Sequence, residues 1–268
     1  MADVIGDAGL TPAQLNEWLA KADWGLGLLR KGHRDGSLPL VLLPERRDDV
    51  PMIEDRASHH RERADTVVVL GTGSSLGGQA LYSLADAGFG PSGDSPRIVF
   101  LDNIDPHTFD HLFRSVDLAR TDFIVISKSG GTAETLAQAI VCIEALLEGE
   151  DEANIGDHFT VITEPKPSPL STLAQHYGMA VLPHDRGIGG RYSALSVVGL
   201  LPAAIAGLDP VNIRSGAESV VADILSGDRC PAALGAAVQC GLTKVSGVTA
   251  SILMPYSDRL AALGLWYR

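Results

Sequence analysis

Short apolar runs alternate along this chain with longer segments whose apolar positions recur every third or fourth residue. The runs are residues 66–70, 97–101, 123–126, 159–163 and 179–183, and 123–126 is apolar and mostly β-branched, as a strand buried on both faces requires. Helical spacing fills the intervals. It predicts a helix over about 79–87, and one opened by Asp105 and Pro106 that carries Phe109, Leu112 and Phe113 toward the core. Another covers 133–147, with Leu136, Ile140, Ile143 and Leu147 as its apolar stripe and Cys142 packed near it. A further helix starts from the prolines and Ser168 that follow Glu164. Residues 195–206 are the most apolar helical segment, and Ser196, Gly199 and Pro202 suit a packed core helix rather than a membrane span. Strands separated by helices predict an α/β fold, a parallel five-stranded sheet with helices on both faces.

The flanks read differently. Thr11 and Pro12 make a helix start, followed by Leu15, Trp18 and Leu19 at helical spacing. Gly25, Gly27, Gly32 and Gly36 loosen what comes next, and the proline-punctuated run 38–44 is expected to pack as an extended arm. Residues 46–63 are densely charged and read as a solvated helix carrying His59 and His60, which point ~100° apart and make a poor metal pair. Past 206, helices are expected over 217–225 and 231–244, then a strand at 248–254 that opens another α/β unit, and a last helix over 256–268. That helix lacks a stop and leaves aromatics at its end, so the chain is expected to be part of something longer. The resulting division is 1–63, an N-terminal helical and extended segment; 64–206, the sheet domain; and 207–268, a helical connection with the start of a second α/β domain.

Candidate chemistry gathers where strands end. Residues 123–126 empty into Ser127, Lys128, Ser129, Gly130, Gly131 and Thr132, and a helix follows at once. Glycines that turn backbone N–H groups outward, a helix N-terminus, hydroxyl donors and a lysine together make an anion site, with a phosphate as its guest. The alternative is a tight turn with an N-cap and a solvated Lys128. A second glycine and hydroxyl loop, Gly71 to Gly78 with Ser75 inside it, occupies the equivalent place after the first strand. Its spacing approaches a dinucleotide fingerprint, with Asp102 as ribose partner, but Leu76 stands where the third glycine belongs. Both loops lie at the carboxyl edge of the expected sheet, where ligands of open α/β sheets bind. Arg191 follows three glycines just before the apolar helix and could stabilise an oxyanion, or else cap backbone carbonyls.

Composition narrows the guest. In 268 residues the net charge is −12 and 45% of residues are hydrophobic, so a full core is available while a nucleic-acid surface or electrostatic attachment to anionic lipid is not. In a chain this acidic, a phosphate needs locally concentrated cations, which singles out Lys128 and Arg191. The three cysteines form no Cys-x-x-Cys pair, so neither a disulfide framework nor a zinc knuckle is indicated and a reducing, cytoplasmic setting fits. The N-terminus lacks a secretory pattern, and no apolar run reaches the ~18 residues of a membrane span.

With these pieces in place, the sequence resembles the bacterial glucose-6-phosphate isomerases, which are built from two sugar-isomerase (SIS) domains. The resemblance covers about residues 40 to 268. It rests on Gly71 to Gly77, on Ser127-Lys-Ser-Gly-Gly-Thr-Ala-Glu-Thr135, on Gly189-Gly-Arg-Tyr-Ser193 and on Met254-Pro-Tyr-Ser-Asp-Arg259. It implies a flavodoxin-like SIS sheet and aldose–ketose isomerisation of glucose 6-phosphate and fructose 6-phosphate, a step of glycolysis and gluconeogenesis, with no metal or organic cofactor. It also implies that Ser75, Ser127, Ser129 and Thr132, with Lys128 beside them, contact the substrate phosphate, and that Arg191 stabilises the enediolate. A homodimer of the full-length protein is implied as well. The family's glutamate base lies in a Gln-x-x-x-Glu-Ser-x-Gly-Lys type segment that has no counterpart among these residues, so little turnover is expected from them alone. The competing expectations are a non-catalytic sugar-phosphate-binding SIS module and, on the loop after the first strand, a nicotinamide-dependent oxidoreductase.

Overall fold

In a computed structural model of the chain, which describes residues 6–73, 75–86, 88, 90, 93, 95–149, 151–226 and 230–268, five strands form one parallel sheet. They are β1 (Thr66–Leu70), β2 (Arg97–Leu101), β3 (Thr121–Ile126), β4 (Phe159–Thr163) and β5 (Ala180–Pro183), in the order β2-β1-β3-β4-β5. The α-helices among the described residues are α1 (Pro12–Asp35), α2 (Val50–Arg63), α3 (Ser75–Ala85), α4 (Pro106–Ser115), α5 (Ala133–Leu147), α6 (Pro169–Tyr177), α7 (Val197–Ile205), α8 (Pro210–Ser226), α9 (Pro231–Val245) and α10 (Ala261–Tyr267). None is long and apolar enough to cross a membrane.

The expected α/β sheet is therefore present, and its register puts Val67 beside Asp122 and Leu70 beside Val125. Alternate residues of each strand feed opposite layers. Val67, Val69, Ile124, Ile126, Ile162 and Leu182 pack under α2, α3 and α7, whose nine residues are all buried. Val68, Leu70, Phe123, Val125, Phe159 and Val161 pack under α4, α5 and α6. Chain order reverses between β1 and β3, which makes the crevice above their carboxyl ends the topological switch point.

The chain divides into two compact units, residues 47–213 with 255–268, and residues 1–46 with 214–254. The first holds the sheet. In the second, α1 packs on α9, and the expected loosening by glycines does not occur. α1 runs through Gly25, Gly27 and Gly32 and stops only at Gly36, whose φ of 72° is left-handed. Tertiary contact outweighs helix propensity here.

Several expectations change. Residues 38–44 are not an extended arm: Pro39–Glu45 is a 3-10 helix that Pro39 opens at its first position, with Leu43 and Pro44 buried. The charged segment 46–63 is α2 from Val50, and it is not wholly solvated, because Ile53, Ala57 and His60 are buried. The helix placed at 79–87 begins earlier, at Ser75, and ends at Ala85; Ala87 lies outside the described residues. Ile140 is 47% exposed, so the buried stripe of α5 runs instead through Thr135, Gln138, Ala139, Cys142, Ile143 and Leu146. Burial pushes the Cys142 thiol up, as befits a packing residue. Residues 248–254 form no strand, since no described segment pairs with them and a lone extended segment has no ladder; the last helix is a 3-10 turn at Asp258–Leu260 followed by α10.

Candidate functional site

The loop after β3 is shaped by its first glycine. Gly130 has a φ of 67°, and a Cβ there would stand 2.1 Å from Ser168 Oγ, so only glycine lets this turn sit against the start of α6. The Gly130 carbonyl accepts from Leu170 N at 2.9 Å, and its N–H donates to Ser127 Oγ at 3.1 Å. Ser127 Oγ and Thr132 Oγ1 stand 3.0 Å apart, and Ser129 Oγ accepts from Gly131 N at 3.2 Å. Thr132 is the N-cap residue of α5 but makes no capping bond with its side chain. The first N–H groups of a 15-residue helix are thus left for a guest, at the end where the helix dipole favours negative charge.

This loop forms one wall of a cavity of about 360 Å³. Ser127, Lys128, Ser129 and Thr132 line it together with Arg191, which a 3-10 turn, Gly190–Tyr192, brings over from beyond β5. Thr72 and Gly73, from the loop after β1, complete the rim. Five of the six candidate residues therefore meet in one place, at the switch point of the sheet. Ser75 does not line the cavity. It opens α3, is 1% exposed, and its hydroxyl has no partner among the described residues. Asp102 is exposed and lies outside the cavity lining, so no ribose partner accompanies the β1 loop there.

Glu164 and Lys166, which stand in no phosphate-loop motif, also line the cavity. They follow β4 immediately, so their place at a carboxyl strand end is the signal in the sequence, while the prolines around them read as a helix start. Lys166 Nζ stands 2.6 Å from Glu164, with Lys128 Nζ 3.8 Å away on the other side. The hydrogen bond from Lys166, reinforced by both lysine charges, holds the Glu164 carboxyl below the usual carboxylate range. A carboxylate so stabilised is a weak proton acceptor. His184, which follows β5, is 1% exposed; burial, with the nearby Lys128 charge, pushes its imidazole down. Its Nδ1 stands 2.9 Å from the Asp185 carbonyl, which assigns the proton to that nitrogen, and Nε2 has no partner among the described residues.

Lys128 is more committed than a free point charge. Its ammonium donates to the carbonyls of Arg186 and Ile188, each at 2.8 Å. Arg191 is exposed, and its guanidinium forms no ion pair among the described residues; its carbonyl accepts from Trp266 Nε1 at 2.7 Å. Hydroxyls, a helix N-terminus, an unengaged guanidinium and a lysine shared with one carboxylate can hold a phosphate ester and stabilise negative charge beside it.

A family model described as phosphoglucose isomerase matches residues 57–268. A curated glucose-6-phosphate isomerase from Carboxydothermus hydrogenoformans is 32% identical over 96% of this chain and 57% of its own length. One from Rubrobacter xylanophilus is 31% identical over 100% of this chain and 64% of its own. Among solved structures, a hypothetical protein from Thermus thermophilus superposes with a TM-score of 0.77 at 30% identity, covering 95% of this chain and 59% of that one. A glucose-6-phosphate isomerase from Chlamydia trachomatis gives a TM-score of 0.71 at 27% identity, covering 82% and 42%. This chain spans 57% and 64% of the lengths of the two curated relatives.

Proposed function

This chain belongs to the phosphoglucose isomerase family, and from that membership we propose that its sheet unit holds the phosphate of glucose 6-phosphate or fructose 6-phosphate while Arg191 stabilises the enediolate formed between them. The observation that carries the reading is the convergence of Ser127, Ser129, Thr132 and Arg191 on one cavity at an uncapped helix N-terminus. The phosphate lies over the first turn of α5, accepting from backbone N–H groups and hydroxyls. The sugar extends toward Arg191, whose fixed positive charge meets the oxyanion as a proton moves between C1 and C2. Residues 64–206 serve as the sugar-phosphate-binding SIS domain, and Ser75 supports the loop from below rather than from the cavity lining.

Proton transfer needs a carboxylate able to accept. Glu164 is the one carboxylate among the described residues that line the cavity, and it is paired with Lys166. These residues alone are therefore expected to bind substrate with little turnover, which also favours, as a second reading, a sugar-phosphate-binding module without catalysis. The whole protein, on the first reading, is a cytoplasmic homodimer.

Calorimetric titration with fructose 6-phosphate tests the binding. Ligand at 100 times its Kd should stabilise the chain by about 2.7 kcal/mol. Replacing Ser127 and Thr132 together by alanine should abolish that stabilisation and leave the fold intact, at a cost of ~1 kcal/mol for each lost hydrogen bond. Unchanged affinity in the double variant would remove this loop from the site.

A further inference from the structure

The two lysines of the cavity are not equivalent. Lys128 has three N–H donors, and two of them are spent on the carbonyls of Arg186 and Ile188 at 2.8 Å. Those carbonyls belong to the segment between β5 and Arg191, which contains Gly187, Gly189 and Gly190 and has little stiffness of its own. Inside it, Ile188 is 1% exposed, Ile188 N donates to Asp185 O at 3.3 Å, and Tyr192 N donates to Gly189 O at 2.9 Å. Lys128 is also fixed at its own backbone, where its carbonyl accepts from Glu164 N at 3.2 Å. One residue thus joins the loops after β3, β4 and β5. Lys166, by contrast, has a side chain 47% exposed, and its ammonium pairs with Glu164 alone among the described residues.

We propose that Lys128 is a positioning residue, which holds the segment 185–190 so that Arg191 faces the sugar, and that Lys166 is the lysine which charge-pairs with the phosphate. The inference rests on the sugar-phosphate reading for the ligand's identity, while the tether itself depends only on the free protein. Moving Lys128 to a phosphate oxygen would strip two carbonyls of their donor and loosen the loop that carries Arg191. Lys166, by contrast, gives up a single ion pair, its own side chain 47% exposed and that of Glu164 13% exposed, and holds no loop carbonyl among the described residues.

The test combines hydrogen exchange on the free chain with titrations of inorganic phosphate and of fructose 6-phosphate. In Lys128→Met, the amides of Ile188, Tyr192 and Ser193 should exchange at least ~10-fold faster, while those of β3 keep their protection. Fructose 6-phosphate, which needs Arg191 in place, should bind ~10-fold more weakly, and inorganic phosphate should change by less than ~2-fold. Lys128→Arg, whose guanidinium can reach both carbonyls, should restore sugar-phosphate affinity to within ~3-fold of wild type. Lys166→Met should weaken both ligands alike, by ~5-fold, and flatten the salt dependence of binding. Unaltered loop exchange in Lys128→Met overturns the tether. Equal loss of the two ligands in that variant makes Lys128 a phosphate ligand and overturns the division of labour. If the unmodified chain binds neither ligand, the sugar-phosphate reading falls, and the exchange measurement still decides the tether.

Discussion

The two edges of the sheet are built from the same residue types to opposite ends. At the amino edge the buried side chains of His60, Thr121, Asp122, His158 and Thr160 all have partners. Asp122, second in β3, stands 2.7 Å from His60 Nδ1, 3.1 Å from Arg63 Nε and 3.5 Å from His158 Nδ1. Thr160, second in β4, bonds His60 Nε2 at 2.8 Å and Arg56 Nε at 2.5 Å. At the carboxyl edge lie Ser75 Oγ, Thr135 Oγ1, Gln138 Oε1, Thr163 Oγ1 and His184 Nε2, the buried side-chain atoms without a partner among the described residues. Each follows the end of a strand or ends one. Since an unmade buried hydrogen bond costs more than a made one returns, the carboxyl edge is stabilised less than it could be and the amino edge carries the fold. Thr160, His60 and Asp122 even share the arrangement of a hydroxyl–imidazole–carboxylate relay. All three are at most 1% exposed and lie at the edge away from the cavity, so here the geometry locks α2 onto the sheet rather than activating a nucleophile.

The largest effect should come from the amino edge. Asp122→Asn removes the charge facing His60 and Arg63 inside the protein and should cost ~3–5 kcal/mol in urea unfolding, as breaking a buried pair does. A loss below ~1 kcal/mol would show that the network is ornamental and that apolar packing alone seats α2. The next effect is acid sensitivity. Burial, opposed by Asp122 and assisted by Arg56 and His59, pushes the His60 imidazole down, and burial pushes His184 down as well. A histidine with a folded pKa below its unfolded one contributes fully above the unfolded value, near 6.5, and loses that contribution as pH falls through the folded value. The unfolding free energy, read from urea titrations at each pH, should therefore drop on acidification below ~6.5, by up to ~1.4 kcal/mol per pH unit for each imidazole protonated on unfolding. His60→Gln should remove part of that slope; an unchanged slope would place the acid sensitivity elsewhere.

The difference between the edges also separates what the sequence disclosed from what it hid. Strands announced themselves because a doubly covered parallel strand has to be mainly apolar and β-branched, as 123–126 is and as 159–163 is apart from two β-branched threonines. The phosphate loop was legible because Ser127 to Thr132 are contiguous. His60 was not legible: its partners are 62 and 100 residues away, and in a run of arginines, glutamates and a second histidine it looks like solvent. Glu164 and Lys166 were hidden by their prolines, and the commitment of Lys128 by partners 58 and 60 residues on. The 3-10 helix Pro39–Glu45 escaped because proline-rich apolar sequence fits extended chain equally well. Local chemistry could be read from the chain, whereas pairing across the fold could not.

The smallest effect is the most discriminating, because it asks for a change of sign within one strand. Thr160 and Thr163 are both on β4, 0% and 1% exposed, and valine matches threonine in shape at either. Thr160→Val leaves His60 Nε2 and Arg56 Nε facing a methyl group and should cost ~1–3 kcal/mol. Thr163→Val deletes a hydroxyl that has no partner among the described residues, so it should be neutral or stabilise by up to ~1 kcal/mol. Paired denaturation curves decide the matter. If Thr163→Val destabilises as much as Thr160→Val, a buried water is satisfying the carboxyl edge and the contrast between the edges disappears. If the signs differ, the polar atoms at the carboxyl edge are kept at the expense of stability, as expected of an edge shaped for a ligand rather than for the fold.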